Sequence, residues 1–536
     1  MKRIEKYLNH LRRIIIKSKI LVFILFVQTI FSQELLEQGQ SFLASKQYTK
    51  AIKVFEEILE NDHVNIIAMN ELAGVYNKLG NIPLIIHFYN KSLNIKENQP
   101  DTWLSLGNIY YHDENIPAAV YAYKNSIKHR PNFAKGHNNL ATLFKESGEI
   151  DLAIVHFEKA VENDTGYSRA MRNIGDIYLN RGNSEKAIYW LERATQTEPG
   201  SLYGWFWLGR AYVQNGDIQK GIQNYLKVLA QKPDLPQVHH HLGKAYFEIR
   251  DYNNAIHHVR LAMEKNPAVI PFYISLSKIY AHIQQESAAL AILQDALALD
   301  RNSTAIYIER GNIHKSASRF EEALNQYELA ALVAPEEWQG YYKKGVVLYY
   351  LSRMKEAKEA LTKAQELSSE NGAVFHFIGL VALAENDLET AEAMLQKASE
   401  YDYKNADVWF HYGQTFLRLE KYEAAEKYLL ISLELNSYNS ETLYSLGQVY
   451  KKLKEPLKSR EFLKKFKNMS DIEEKVERLS TKIHIQPKNS TLRLQLAELY
   501  EQSGQRDRAL MVYRQAAYIG NAEAERRIKN ILNNLN

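Results

Sequence analysis

Histidine gives this chain its densest concentration of reactive side chains. His239, His240 and His241 are consecutive, and His257 and His258 follow. Imidazoles ligate transition metals and move protons near neutral pH. A zinc site needs three or four donors aimed at one point. Successive residues of a helix point about 100° apart, so three in a row do not converge. Cations form the second pattern: Arg210, Lys244 and Lys278 recur at an interval of 34 residues. If that interval is a structural repeat, the three make a stripe, suited to acidic side chains or the terminal carboxylate of an extended partner. Covalent chemistry has little to work with. Cysteine is absent from the 536 residues, which excludes disulfides, thiolate metal sites and thiol catalysis. No glycine-rich phosphate loop, H-E-x-x-H motif or nucleophile elbow occurs.

The element that positions these residues is an internal repeat. Counted from Ser32 in steps of 34, thirteen units reach Glu473 without insertion or deletion. Position 8 is small in every unit, from Gly39, Ala73 and Gly107 to Gly413 and Gly447. Position 20 is small in all but one, where Ile85 stands. A fourteenth unit begins at Ser490, after the spacer 474–489, with Ala497 and Ala509 at the same positions. Within a unit, Trp103, Leu106, Gly107 and Tyr110 mark one helix face, and Ala119, Tyr123 and Ser126 mark a second. Gly148 suits a left-handed residue ending the first helix. Pro83 and Pro117 suit the first turn of the second helix, and Pro131, Pro199, Pro233, Pro267 and Pro335 close it. The spacer reads as a capped helix from Ser470-Asp471-Ile472-Glu473, or as a lengthened second helix of unit thirteen.

This pattern resembles the tetratricopeptide repeat family, most clearly in Trp205, Leu208, Gly209, Tyr212, Gly221, Tyr225 and Pro233. The resemblance implies an all-α fold: a right-handed α-solenoid superhelix of about fourteen 34-residue helix-turn-helix repeats with a C-terminal capping helix. The expected organisation is a signal peptide or anchor at 1–32, units one to thirteen at 33–473, the spacer, unit fourteen at 490–523 and a cap at 524–536.

The resemblance also implies that positions 2, 5, 9, 12 and 13 of each first helix line a concave groove. Position 9 carries Arg210, Lys244 and Lys278, and Arg169 and Arg172 add to that stripe. One reading makes it a site for acidic groups; the other makes it a solvated face partly neutralised by Asp176 and Glu248. Tyr342, Tyr349 and Tyr350, with Val346, Leu380, Leu383 and Phe410, form a second patch, read either as a peptide site or as inner-wall packing. His239 falls at a packing position, while His240 and His282 fall in the groove, too few for a metal. Asn138, Lys145, Arg172 and Asn180 only loosely approximate the family's carboxylate clamp, and Asn139 and Asn173 only begin an asparagine ladder.

Charge separates the N-terminus from the rest. Residues 1–31 hold seven Lys/Arg and the acid Glu5, whereas the remainder carries 60 basic and 62 acidic side chains. The body therefore lacks a nucleic-acid footprint. Basic residues followed by the uncharged Ile20–Phe31 and Ser32 fit a secretory signal cleaved before Gln33. An uncleaved anchor and a cytosolic amphipathic segment are the alternatives. The expectation is a non-enzymatic scaffold without cofactor or metal, exported to the periplasm or envelope of an A+T-rich bacterium. It holds protein or extended peptide partners and meets the membrane only through an uncleaved N-terminus. The alternative is a regulatory or targeting subunit of an envelope enzyme such as a glycosyltransferase or polysaccharide-export complex.

Overall fold

A computed structural model describes residues 33–486 and 489–533. The expected signal segment at 1–32 lies outside the described residues. The chain is an all-α repeat solenoid, with no strand among the described residues. It divides into two compact units, the first ending at Gln231 and the second beginning at Lys232.

The first unit contains α1 (33–44), α2 (Tyr48–Asn61), α3 (Ile66–Leu79), α4 (Ile82–Ile95), α5 (Pro100–His112), α6 (Ile116–His129), α7 (Ala134–Glu146), α8 (Ile150–Asn163), α9 (Ser168–Asn180), α10 (Ser184–Thr197), α11 (Leu202–Gln214) and α12 (Ile218–Gln231). The second contains α13 (Pro236–Glu248), α14 (Tyr252–Lys265), α15 (Ile270–His282), α16 (Glu286–Leu299), α17 (Thr304–Ser316), α18 (Phe320–Val333), α19 (Trp338–Tyr350), α20 (Met354–Leu367), α21 (Gly372–Ala384), α22 (Leu388–Tyr401), α23 (Ala406–Arg418), α24 (Tyr422–Leu435), α25 (Ser440–Lys452), α26 (Pro456–Ile485), α27 (Ser490–Gln502), α28 (Arg506–Tyr518) and α29 (Ala522–Asn533). First helices start every 34 residues from Ile66 to Ser440, and second helices every 34 residues from Tyr48 to Pro456.

Close approach of the two helices explains the small position 8. The side chain at position 24 of the second helix fills the space above it. A Cβ on Gly107 would lie 2.6 Å from the Tyr123 ring, and one on Gly311 would lie 2.4 Å from Tyr327. Hairpins then stack, with first helices such as α9 and α11, or α17 and α19, also in contact. Where position 4 is tryptophan, it ties the hairpin to the loop before it. Trp103 Nε1 donates to Glu97 O at 2.9 Å, Trp205 Nε1 to Pro199 O at 2.8 Å and Trp409 Nε1 to Tyr403 O at 2.8 Å. Each of these indoles, buried at Trp103 and half-buried at Trp205 and Trp409, thereby keeps its donor satisfied.

The turn inside each hairpin has a left-handed residue at position 15. It is glycine at Gly80, Gly148, Gly182 and Gly216, but Glu114, Arg250 and Ser352 hold the same conformation. The following amide donates back to the first helix, as Glu149 N does to Phe144 O at 2.8 Å, which compensates the strain. The Ser470–Glu473 capping box starts no new helix. Ser470 lies inside α26, a single 30-residue helix. After Pro456 no glycine or proline interrupts it, so local capping loses to helix continuation. Val476, Leu479 and Ile483 of α26 pack on Leu496 and Ala497 of α27, and α29 buries Ala524 against the same cluster. Among the described residues no helix is long and apolar enough to cross a membrane.

Two glycine substitutions test the close-approach account. Gly311→Ala forces Tyr327 to move and should cost about 1–3 kcal/mol. Gly74→Ala meets nothing within 4 Å and should gain up to about 1 kcal/mol from helix propensity. Urea denaturation of both variants checks the opposite signs; equal effects contradict the account.

Candidate functional site

The histidines resolve into packing pairs. His137 Nε2 faces Pro131 O at 2.9 Å, and a carbonyl only accepts, so Nε2 carries the hydrogen. In the neutral ring Nδ1 is then bare and accepts from His156 Nδ1–H at 2.9 Å. Three units later His239 repeats this with Pro233 O at 2.8 Å and His258 at 3.1 Å. Burial pushes His156 and His258 down to about 4. The two groove histidines each have other neighbours: His240 Nε2 lies 2.8 Å from Ser275 Oγ, and His282 packs on Phe247 and Tyr252.

In the first unit the inner wall is built by the first helices α5, α7, α9 and α11. They enclose a concavity of about 720 Å³ lined by Asn108, Tyr111, Asn138, Asn139, Thr142, Arg169, Arg172, Asn173 and Tyr203. Its floor is an oriented chain of amides. Asn108 Oδ1 accepts from Tyr123 Oη and from Asn139 Nδ2, both at 2.8 Å. Asn139 Oδ1 accepts from Asn138 Nδ2 at 3.1 Å. The donor of Asn108 is thus left for a ligand. Asn138 Oδ1 has no partner although the residue is only 1% exposed. An orphaned buried acceptor costs about 1–3 kcal/mol until something donates to it.

Charge completes this wall. Arg172 Nη1 donates to Ser201 Oγ at 2.6 Å, stands 3.5 Å from Glu198 and lies over the Tyr203 ring. Arg169 is exposed at the rim and has no acidic partner among the described residues. Asp176 does not neutralise these arginines, because Lys145 and Asn180 occupy its carboxylate. Arg210, also of the first unit, lies outside the concavity with its guanidinium 4.4 Å from the Trp207 ring centre. Lys244 and Lys278 belong to the second unit; Lys244 is exposed, and Lys278 Nζ stands 3.8 Å from Glu309.

Of the two readings of the aromatic patch in the second unit, burial favours inner-wall packing, which corrects the assignment of Phe410 to the open groove. Phe410 is 4% exposed and packs in one cluster with Leu380, Leu383, Tyr412 and Phe416. Val346 is buried too. Tyr342 is half-buried between Trp338 and Phe377, and Tyr349 packs on Phe377. Tyr350 alone of the four named rings is open, 52% exposed, with one face stacked on Phe320. Position 5 points to the seam between neighbouring first helices, here α21, α23 and α25. A large apolar residue there fills the seam. At the same position Arg172 extends its guanidinium to Ser201 and Glu198 of the wall, whereas Asn138 is buried in the seam. The sequence reading also missed Glu309, a signal present in the position-6 column of the repeats.

Tetratricopeptide repeat profiles match residues 35–62, 138–201, 308–371, 378–440 and 491–527, and a further TPR repeat profile matches 209–249. Together these cover more than half of the sequence. The chain is a tetratricopeptide repeat protein. No curated protein matches this TPR chain as a whole sequence. Among solved structures it is similar to the APC/C hetero-tetramer Cut9–Hcn1, at 14% identity over 82% of this chain and 94% of that one, TM-score 0.39. It is also similar to a tetratricopeptide repeat protein from Parabacteroides merdae, at 15% identity over 46% and 98% of the two chains, TM-score 0.38. A third similarity is to YrrB, described as a TPR protein with an unusual peptide-binding site, at 24% identity over 35% and 96%, TM-score 0.29.

Phe410→Ala should lower the stability of this TPR protein by about 3–5 kcal/mol. Hydrogen exchange should show the loss centred on α21, α23 and α25, since repeat stability is set by nearest neighbours. Unchanged protection in those helices contradicts the interior placement.

Proposed function

We propose that this TPR protein is a non-enzymatic scaffold whose first unit holds an extended peptide segment on the wall formed by α5, α7, α9 and α11. The observation that carries the reading is the amide floor. An extended backbone offers alternating N–H and C=O groups. The free donor of Asn108 suits a carbonyl of such a segment. Arg169 at the rim adds preference for a segment with an acidic side chain. Arg172, fixed by Ser201 and Glu198, shapes the wall more than it supplies free charge.

Export to a bacterial envelope is part of the proposal. It rests on the basic residues and the uncharged run Ile20–Phe31.

Selection of a random peptide library on the full chain tests the binding reading. Enriched peptides should be acidic, and Arg169→Glu should weaken them at least about tenfold. Asn139→Ala, which breaks the amide chain, should weaken acidic and neutral peptides alike. Enriched peptides indifferent to both substitutions contradict it.

A further inference from the structure

The inner wall of the second unit holds a carboxylate that the peptide-holding reading does not use. Glu309 of α17 is 7% exposed. Among the described residues it receives one hydrogen bond, from Asn312 Nδ2 at 3.3 Å. Asn312 Oδ1 is itself taken by Tyr327 Oη of α18 at 2.9 Å. Lys278 Nζ of α15 lies 3.8 Å from Glu309 Oε2, close enough for charge pairing and too far for a hydrogen bond. Lys343 of α19 interacts with the same carboxylate from the other side and with Lys315 of α17. Lys278 and Lys343, on the first helices before and after α17, thus both act on one acid. In front of it lies a concavity of about 610 Å³, lined also by Phe247, His282 and Ser316.

The charge balance selects the ligand. Two lysines already outnumber Glu309, so a cationic ligand would add repulsion. An anionic ligand gains the lysines and meets one obstacle, the Glu309 charge. A proton on Glu309 removes it and converts an acceptor into a donor. A carboxylic acid facing a carboxylate makes a short, strong hydrogen bond. Burial raises the Glu309 pKa, which lowers the cost of that proton, and burial lowers the pKa of Lys343. His282 is also shifted down by burial, so it favours the neutral form.

We propose that this wall site binds a carboxylate group of an extended ligand and takes up one proton from solvent on Glu309 as it does so. The site is built from different residues than the amide floor and lies wholly in the second unit.

The test is calorimetric titration of the full chain with hexaglutamate at pH 5.5 and pH 7.5, in buffers of different ionisation heat. The wild-type protein should bind about tenfold more tightly at the lower pH, with net proton uptake. Glu309→Gln should bind at pH 7.5 as tightly as the wild-type protein does at pH 5.5, and its pH dependence should flatten. Replacing Lys278 and Lys343 by alanine should weaken binding at both pH values. Arg169→Glu should leave the pH dependence intact, which separates this site from the amide floor. Ligand-free melting gives a second readout. A raised carboxyl pKa means the ionised side chain opposes folding as pH rises, so Glu309→Gln should raise the melting temperature more at pH 7.5 than at pH 5.5. Wild-type pH dependence surviving in Glu309→Gln overturns the proposal, as does absence of hexaglutamate binding to both proteins at millimolar concentration.

Discussion

Within each hairpin the two helices approach so closely that position 8 has room for nothing larger than glycine, alanine or serine. Tyr123, Tyr225 and Tyr327 occupy that space from the opposite helix, each against a glycine. Opposite Gly209 stands Gly221, where a Cβ would lie 2.4 Å from Val213 Cγ2 and 2.9 Å from Gly209 O. This is why the usual alanine of the repeat gives way to glycine there. A single hairpin cannot cover its outer apolar faces, so neighbouring hairpins do it for one another. Stability is thereby local, and the walls are free to vary.

The same packing supplies the wall with polar geometry. The tyrosine that fills position 8 carries a hydroxyl, and burial raises the pKa of Tyr123 and Tyr327. Each hydroxyl passes between the helices and donates to the asparagine at position 9, Asn108 or Asn312. A core residue thus fixes which end of a groove amide faces outward. Where position 9 is a cation instead, as at Arg210, the tyrosine beneath is Tyr225 and the guanidinium turns onto Trp207. Function on this scaffold is set one column at a time, by which polar ends the packing leaves exposed.

Helix starts were legible because the 34-residue period is unbroken through Glu473, and one count places every hairpin. The failures have specific causes. The repeat position gives the face of a helix but not the distance to the next first helix, so it left Phe410 open between a peptide site and inner-wall packing. The S-x-x-E spacing at Ser470 is a local signal, and it lost to a helix with nothing to stop it. Reading charge along position 9 alone found Lys278 but not its neighbour Glu309 at position 6. Arg169 and Arg172 were legible as wall residues, yet Asp176 could not be seen to belong to Lys145. Partner choice among adjacent ions depends on side-chain reach, which spacing does not encode.

The central claim is that a partner segment lies on the amide-floored wall and not on the outer helices. Tyr203, which lines the concavity, and Tyr189, on the second helix α10, are equally exposed. Replacing each in turn by the photoreactive amino acid benzoylphenylalanine compares the two surfaces without changing the residue class. The account predicts that a peptide selected on the full chain crosslinks from position 203 and not from position 189. Crosslinking from 189 with none from 203 would contradict it.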